Sequence, residues 1–111
     1  MALKGYYVKM TEEPTKFELD VWEMSDELVN LLVSKHHDYG PKNISQSPGG
    51  PLNGLRERMW DKMARINNIY EYMEDTGGFQ PQHESLEDSF KDLANYALIG
   101  LMVLREKWPE E

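Results

Sequence analysis

Cysteine is absent from the 111 residues of this chain, which excludes disulfides, thiolate metal sites and cysteine nucleophiles. Basic residues are also few, since 12 Lys and Arg stand against 20 Asp and Glu and give a net charge of −8. A chain this acidic repels a phosphate backbone, so we expect no nucleic-acid polymer as a partner. A single nucleotide is compatible with this charge, because a divalent metal can bridge acidic side chains and phosphate.

Long hydrophobic runs are lacking as well. The longest nearly apolar run, residues 96–104, is far shorter than the roughly 20 residues that cross a bilayer. The first ten residues do not contain the apolar stretch of a signal peptide. We therefore expect a cytoplasmic protein with no membrane partner. Hydrophobic residues make up 40% of the chain, which is enough for the core of one domain.

The first 24 residues differ in pattern from the rest of the chain. Residues 6–8 are β-prone, and residues 16–21 alternate polar with apolar side chains, which is typical of a half-buried strand. The sequence therefore predicts a short N-terminal β-hairpin or extended arm over residues 1–24. Because an isolated hairpin is marginally stable in water, it should pack on the helices or on a second subunit.

Helical periodicity dominates residues 25–111, which we interpret as an α-helical nucleotide-binding bundle. Ser25 is the expected N-cap of a first helix, which ends at Gly40. The 15 residues from 40 to 54 are expected to form a loop, and loops of that length are usually functional or disordered. Apolar spacings of three and four then predict a second helix that ends near Thr76 and a third over residues 84–107. The fold class is mainly α, with three main helices completed by oligomerisation.

The third helix is apolar nearly all round over residues 94–104. Its main stripe comprises Leu86, Phe90, Leu93, Ala97, Leu101 and Leu104. Three helices and a hairpin cannot surround such a helix on every side. We therefore expect a partner subunit to cover the face of Ile99, Met102 and Val103, in a homodimer or homotetramer.

Acidic residues occupy a face of the third helix where burial makes them costly. Glu84, Asp88, Asp92 and Asn95 share this face, which continues into apolar positions. The helix dipole favours acids in the first turn, but Asp92 lies about two turns further on. Its carboxylate therefore needs a positive partner. Arg65 or Lys62 of the second helix could supply it, but a hard divalent cation between Asp88 and Asp92 would fit better, because Mg²⁺ prefers carboxylate oxygens.

Three segments together resemble one known family. Residues 35–40 (KHHDYG) resemble its K-x-x-D-Y-G motif, residues 58–66 (RMWDKMARI) its R-x-x-D-K-x-x-R-I/L segment, and residues 84–97 (ESLEDSFKDLANYA) its E-S-x-x-D-x-x-x-D-L-A-N-Y-A segment. The family is the phage and bacterial nucleotide-modification-associated domain, which is similar to the MazG-like all-α nucleoside triphosphate pyrophosphohydrolases. The resemblance covers about residues 28–105. It implies a helical bundle, commonly a dimer or tetramer, that acts on nucleotides with Mg²⁺ or Mn²⁺.

Hydrolysis of (deoxy)nucleoside triphosphates is the first functional hypothesis. Asp61, Asp88 and Asp92 would hold the metal, and Glu57 or Glu84 would orient the attacking water. Lys62 and Arg65 would stabilise charge on the phosphate oxygens. The expected substrate contacts are Lys35, Asp38, Tyr39, Lys42, Asn43, Arg58 and Asn95. Among these, the Tyr39 ring can stack on a base and Lys42 can meet a phosphate.

Two alternatives stay open. The pyrophosphohydrolases pair an E-x-x-E helix with an E-x-x-D helix, whereas the second helix here offers Glu57 and Asp61 at a spacing of four. That departure favours a non-catalytic protein that binds or sequesters a nucleotide in the same pocket. The other alternative is a purely structural helical oligomer. We interpret His36, His37 and His83 as structural or solvated residues.

Overall fold

The computed structural model describes residues 13–82 and 85–111, and all regular structure in those two ranges is helical. Helix α1 spans Lys16–Tyr39, α2 spans Lys42–Ser45, α3 spans Pro51–Thr76 and α4 spans Leu86–Leu104. The prediction of a mainly α fold is confirmed. None of these helices combines the length and the hydrophobicity needed to cross a bilayer.

The start of α1 corrects the strand predicted over residues 16–21. The Thr15 hydroxyl accepts a hydrogen bond from the backbone N–H of Glu18 at 3.1 Å, so Thr15 rather than Ser25 is the N-cap. Leu19 and Val21 are 52% and 45% exposed, so their alternation with polar residues does not mark a buried face. The boundary drawn after residue 24 lies inside this helix. The β-prone residues 6–8 lie outside the described residues.

The segment predicted as a long loop is largely helical. Gly40 ends α1 with a φ of 68°, a conformation that glycine adopts without steric cost. Helix α2 follows and buries Ile44, which is 2% exposed. Helix α3 begins at Pro51 and ends at Thr76, with Gly77 as its left-handed C-cap. The predicted end of this helix is therefore confirmed.

Helix α4 begins at Leu86 and is capped by Ser85, whose hydroxyl accepts a hydrogen bond from the Asp88 N–H at 3.1 Å. It ends at Leu104, three residues before the predicted end. Beyond it, Glu106 adopts a φ of 56°, and the chain turns back toward α2. The Trp108 indole N–H then donates to the Pro41 carbonyl at 3.1 Å, which brings the C-terminal segment to the end of α1.

The core joins α2, α3 and α4. Ile44, Leu55 and Ile99 form one buried cluster, and Leu32, Tyr96, Val103 and Trp108 pack around it. Leu55 near the start of α3 meets Ile99 late in α4, while Lys62 meets Asp92 earlier in α4, so the two helices run antiparallel. Helix α1 contributes no fully buried residue, but its Leu32 packs against the core cluster and polar contacts join it to α4. One of these joins Lys91 and Glu27 at 2.6 Å.

The two apolar faces of α4 are assigned the wrong way round by the sequence prediction: the face expected to meet a partner subunit is buried within the chain, and the expected core face is exposed. Ile99 is 6% exposed and Val103 packs against the same cluster, so the chain itself covers the face assigned to a partner subunit. The predicted main stripe is instead largely uncovered, with Phe90, Leu101 and Leu104 all more than half exposed. Periodicity counts the apolar faces of a helix, but it does not say which face the rest of the chain covers.

Candidate functional site

A pocket of about 230 Å³ opens between α1, α2 and α4. Its apolar floor includes Leu32, Ile44 and Ile99. Five of the predicted substrate contacts line its walls, namely Lys35, Tyr39, Asn43, Arg58 and Asn95. The other two, Asp38 and Lys42, are exposed and are not among its lining residues. The pocket is thus the place where most of the predicted substrate contacts meet.

Two helical faces with the same spacing build the pocket. On α1 the lining residues are Leu32, Lys35, His36 and Tyr39. On α4 they are Asp92, Asn95, Tyr96 and Ile99. In both helices the positions are i, i+3, i+4 and i+7, which form one continuous face. The pocket therefore follows from two amphipathic faces that cross each other.

One carboxylate links three helices at the pocket wall. The Lys35 ammonium lies 2.9 Å from Asp92 Oδ1, and the Lys62 ammonium lies 2.8 Å from Asp92 Oδ2. The side chains of Asp92 and Lys62 are only 19% and 12% exposed, so this ion pair is partly desolvated. The positive partner that the sequence requires for Asp92 is therefore Lys62, together with Lys35 from α1.

The charged groups of this cluster shift one another's pKa values. Burial by itself would raise the pKa of Asp92, but the hydrogen bonds from Lys62 and Lys35 outweigh that effect and hold the pKa below its usual range. The hydrogen bond to Asp92 raises the pKa of Lys35, against the opposing effect of burial. Asp92 and Lys35 are therefore both charged across the neutral range.

Backbone carbonyls orient two further polar side chains of the pocket. The Arg58 guanidinium donates from Nη2 to the Asn43 carbonyl at 3.0 Å, which joins α3 to α2. The Asn95 amide donates to the Leu28 carbonyl at 3.2 Å, which joins α4 to α1. A guanidinium has five N–H donors and an amide has an acceptor oxygen as well, so both groups keep capacity for a ligand.

The three acids predicted to hold a metal are not gathered in one place. Both carboxylate oxygens of Asp92 accept from lysines. Asp88 is exposed in the first turn of α4, and Asp61 is exposed and pairs with Arg65 at 3.4 Å. Within residues 13–82 and 85–111, no group of three His, Asp or Glu side chains is arranged to hold a metal ion. The donor set described here does not fit a Mg²⁺ or Mn²⁺ centre.

The predicted catalytic residues are dispersed. Lys62 reaches the pocket wall through Asp92, whereas Arg65 is 44% exposed and pairs with Asp61 at 3.4 Å. Glu57 lines a separate groove, whose other residues include Asp61 and Arg58. Arg58 therefore lies on the border between the pocket and this acidic groove. Glu84 lies outside the described residues.

Sequence reasoning did not assign three aromatic residues of the pocket to the site, namely His36, Tyr96 and Trp108. The His36 and Trp108 rings meet edge to face with centroids 5.2 Å apart. Nδ1 of His36 is buried, and no hydrogen-bond partner for it occurs in the described part of the chain. Helical spacing from Leu32 was the available signal for His36. No periodic signal points to Trp108, because it follows the last helix.

No family model, curated protein or solved structure matches this chain. The resemblance to the nucleotide-modification-associated family, which rests on three short motifs, stays a prediction.

Proposed function

We propose that this chain is a nucleotide-binding module whose ligand occupies the pocket between α1 and α4. The observation that carries the proposal is the meeting of Lys35 and Arg58 with the Tyr39 and Tyr96 side chains in one pocket. Cationic side chains of this kind recognise phosphate, and aromatic rings stack on bases. In a chain of net charge −8, two cations beside one carboxylate make this wall locally positive.

The cationic side chains of the pocket keep N–H donors that a ligand can use. The Lys35 ammonium donates to Asp92, and an ammonium has three N–H donors. Lys62 offsets much of the Asp92 charge from the other side, so Asp92 does not neutralise Lys35 completely. The buried Nδ1 of His36 offers an additional polar atom for a ligand at the same pocket. These features support capture of an anionic, partly aromatic ligand.

Pocket size limits how much of the ligand is enclosed. A volume of about 230 Å³ is below the roughly 300–1,000 Å³ of most small-molecule sites. We therefore expect one part of the nucleotide, such as the base, to be buried while the remainder stays at the open mouth. Tyr39 is 69% exposed, which leaves its ring available for stacking.

Hydrolysis of a nucleoside triphosphate is the second candidate. It is favoured by the position of Arg58, which lines both the pocket and the groove that holds Glu57 and Asp61. The described residues do not fit the divalent metal that this reaction is expected to use. Binding without turnover is therefore the better supported function.

Calorimetric titration separates the two candidates. Ribo- and deoxynucleoside mono-, di- and triphosphates are titrated with and without MgCl₂, alongside nucleosides and inorganic phosphate, and the mixtures are then analysed by chromatography. The proposal expects a nucleotide to bind without added metal and to be recovered unchanged. Release of phosphate or pyrophosphate would replace it with hydrolysis. Failure of every nucleotide to bind would overturn both.

Matched variants test the pocket itself. Tyr39→Leu should lower nucleotide affinity by about 5- to 150-fold, because stacking on one base contributes roughly 1–3 kcal/mol. Tyr70→Leu is the control, since Tyr70 is 60% exposed on α3 and does not line the pocket. Arg58→Gln should weaken phosphate-bearing ligands and spare nucleosides. Arg56→Gln, two residues away on the exposed side of α3, should leave affinity unchanged.

A further inference from the structure

Helix α4 presents an uncovered apolar row on the side away from the pocket. Its members are Phe90, Ala94, Ala97, Leu101 and Leu104, all of them exposed. We call this row the outer seam. The spacings along it are four, three, four and three residues, which is the repeat of positions that pack between helices of a coiled coil. Asp92 and Ile99 lie on the opposite side of the helix, toward the pocket and the core.

The small core shows that the chain has more apolar surface than it covers by itself. Among the described residues, the buried hydrophobic side chains are Ile44, Leu55, Ile69 and Ile99. The surface of the chain is 8788 Å², whereas a compact monomer of 13 kDa exposes about 6,300 Å². The excess is larger than the roughly 800 Å² that each partner contributes to a standard protein interface. The chain as a whole therefore exposes enough surface for a stable dimer, and the outer seam contributes three large apolar side chains to it, Phe90, Leu101 and Leu104.

Charge also favours the outer seam as the place where two copies meet. The chain carries 20 acidic residues, yet between residues 89 and 105 the only one is Asp92, which lies on the inner side. Arg105 follows the seam at its C-terminal end, and Lys91 near its start is paired with Glu27 and Glu87. Because the seam positions themselves carry no acidic side chain, two molecules of net charge −8 meet there without a direct carboxylate-to-carboxylate contact along the row.

We propose that a second copy of this chain packs its outer seam against the outer seam of the first. A two-fold arrangement brings the same surface of both copies together, so that two α3–α4 pairs form a four-helix bundle. The pockets then lie on the outside of the bundle, one in each copy. This interface does not depend on what the pocket binds.

Light scattering coupled to size exclusion tests the interface at micromolar concentration. The wild type should have twice the 13.0 kDa mass of one chain, and Leu101→Glu should have the mass of one chain. Leu52→Glu is the matched control, because Leu52 is 47% exposed on α3 and Leu101 is 51% exposed on the seam. The control should remain dimeric. A monomeric wild type, or a dimer lost in Leu52→Glu but kept in Leu101→Glu, would overturn the proposal.

Cross-linking gives a second readout that does not require a charged substitution. Because the chain contains no cysteine, Ala97→Cys introduces a single thiol at the middle of the seam. In a parallel or an antiparallel two-fold pair this position faces its own copy, and packed helices lie about 8–10 Å apart. A short bis-maleimide should therefore join Ala97→Cys into a covalent dimer. It should join Asn67→Cys, on the exposed side of α3, far more slowly, and equal rates would contradict the seam.

Discussion

At the scale of single residues, Asp92 has the largest effect on the pocket. It lies between Lys35 and Lys62, and its carboxylate connects α1, α3 and α4 by charge. A carboxylate held in this way stabilises the fold, whereas a carboxylate crowded by other acids would destabilise it until a cation arrives. The sign of its effect on stability therefore separates an ion-pair role from a metal-ligand role.

We expect Asp92→Asn to lower the free energy of unfolding at pH 7 by about 1–3 kcal/mol, because it leaves the partly buried Lys62 without its carboxylate. The folded pKa of Asp92 is lowered below the unfolded value of about 3.9. Its stabilisation is therefore present above that pH and is lost as the pH falls through the folded pKa. Urea unfolding across the acid range should show wild type and variant converging below about pH 4.

At high pH, the stabilisation from the ion pair between Lys35 and Asp92 is limited by the pKa of Lys35. Its folded pKa is raised, so its stabilisation is present below the unfolded value of about 10.4 and is lost as the pH rises through the folded pKa.

Asp61→Asn is the control for Asp92→Asn, since Asp61 is exposed and its pair with Arg65 should contribute less than about 1 kcal/mol. A stabilising Asp92→Asn would indicate like-charge crowding and would revive the metal hypothesis.

At the scale of elements, the short helix α2 depends on a close approach to α3. The Ser47 hydroxyl donates to the Asn43 carbonyl at 2.8 Å, and the Arg58 guanidinium donates to the same carbonyl at 3.0 Å. Gly54 makes room for this connection, because a Cβ at Gly54 would clash with the Oγ and Cβ atoms of Ser47. The pocket wall at Asn43 is therefore set by a glycine inside the neighbouring helix.

Gly54→Ala should destabilise the chain by about 1–3 kcal/mol, as overpacking does, and should also weaken ligand binding through Asn43 and Arg58. Gly100→Ala is the matched control within α4, because no atom lies within 4 Å of the added Cβ. It should stabilise the chain by about 0.5–1 kcal/mol, since alanine is the better helix former. Thermal unfolding of the two variants and the wild type measures their relative stabilities. Similar changes in stability at the two sites would contradict the described packing.

At the scale of the whole molecule, the radius of gyration is 16.7 Å, whereas a compact chain of this length has about 13 Å. The flat extents of 47 × 44 × 22 Å agree with helices that cover one another on one side only. Stability should then depend on whatever covers the outer seam. That dependence can be measured without a structure of the complex.

We expect the melting temperature of the wild type to rise with protein concentration, because dimerisation stabilises only the folded state. Leu101→Glu should melt lower, at a temperature that does not change with concentration. Differential scanning calorimetry over a hundredfold range of concentration makes the comparison. A flat wild-type profile that coincides with the variant would show that the chain is stable as a monomer.

The sequence by itself predicted the parts of this protein that depend on local pattern. Apolar spacings of three and four predicted α3 and α4, and the glycine at 77 marked the end of α3. The motif around Lys35 and Tyr39 and the run from Asp92 to Asn95 selected residues that the pocket brings together. Local spacing was sufficient here because a helix fixes which side chains share a face.

Only the tertiary structure decided what each face meets. Residues 16–21 alternate like a strand, but they continue a capped helix because neither set of side chains is buried in a sheet. Asp92 meets lysines from two other helices, and Ile99 rather than Leu101 faces the core. The physical reason is that charge pairing and burial are set by crossing elements far apart in the chain, and the period of one helix contains no information about its neighbours.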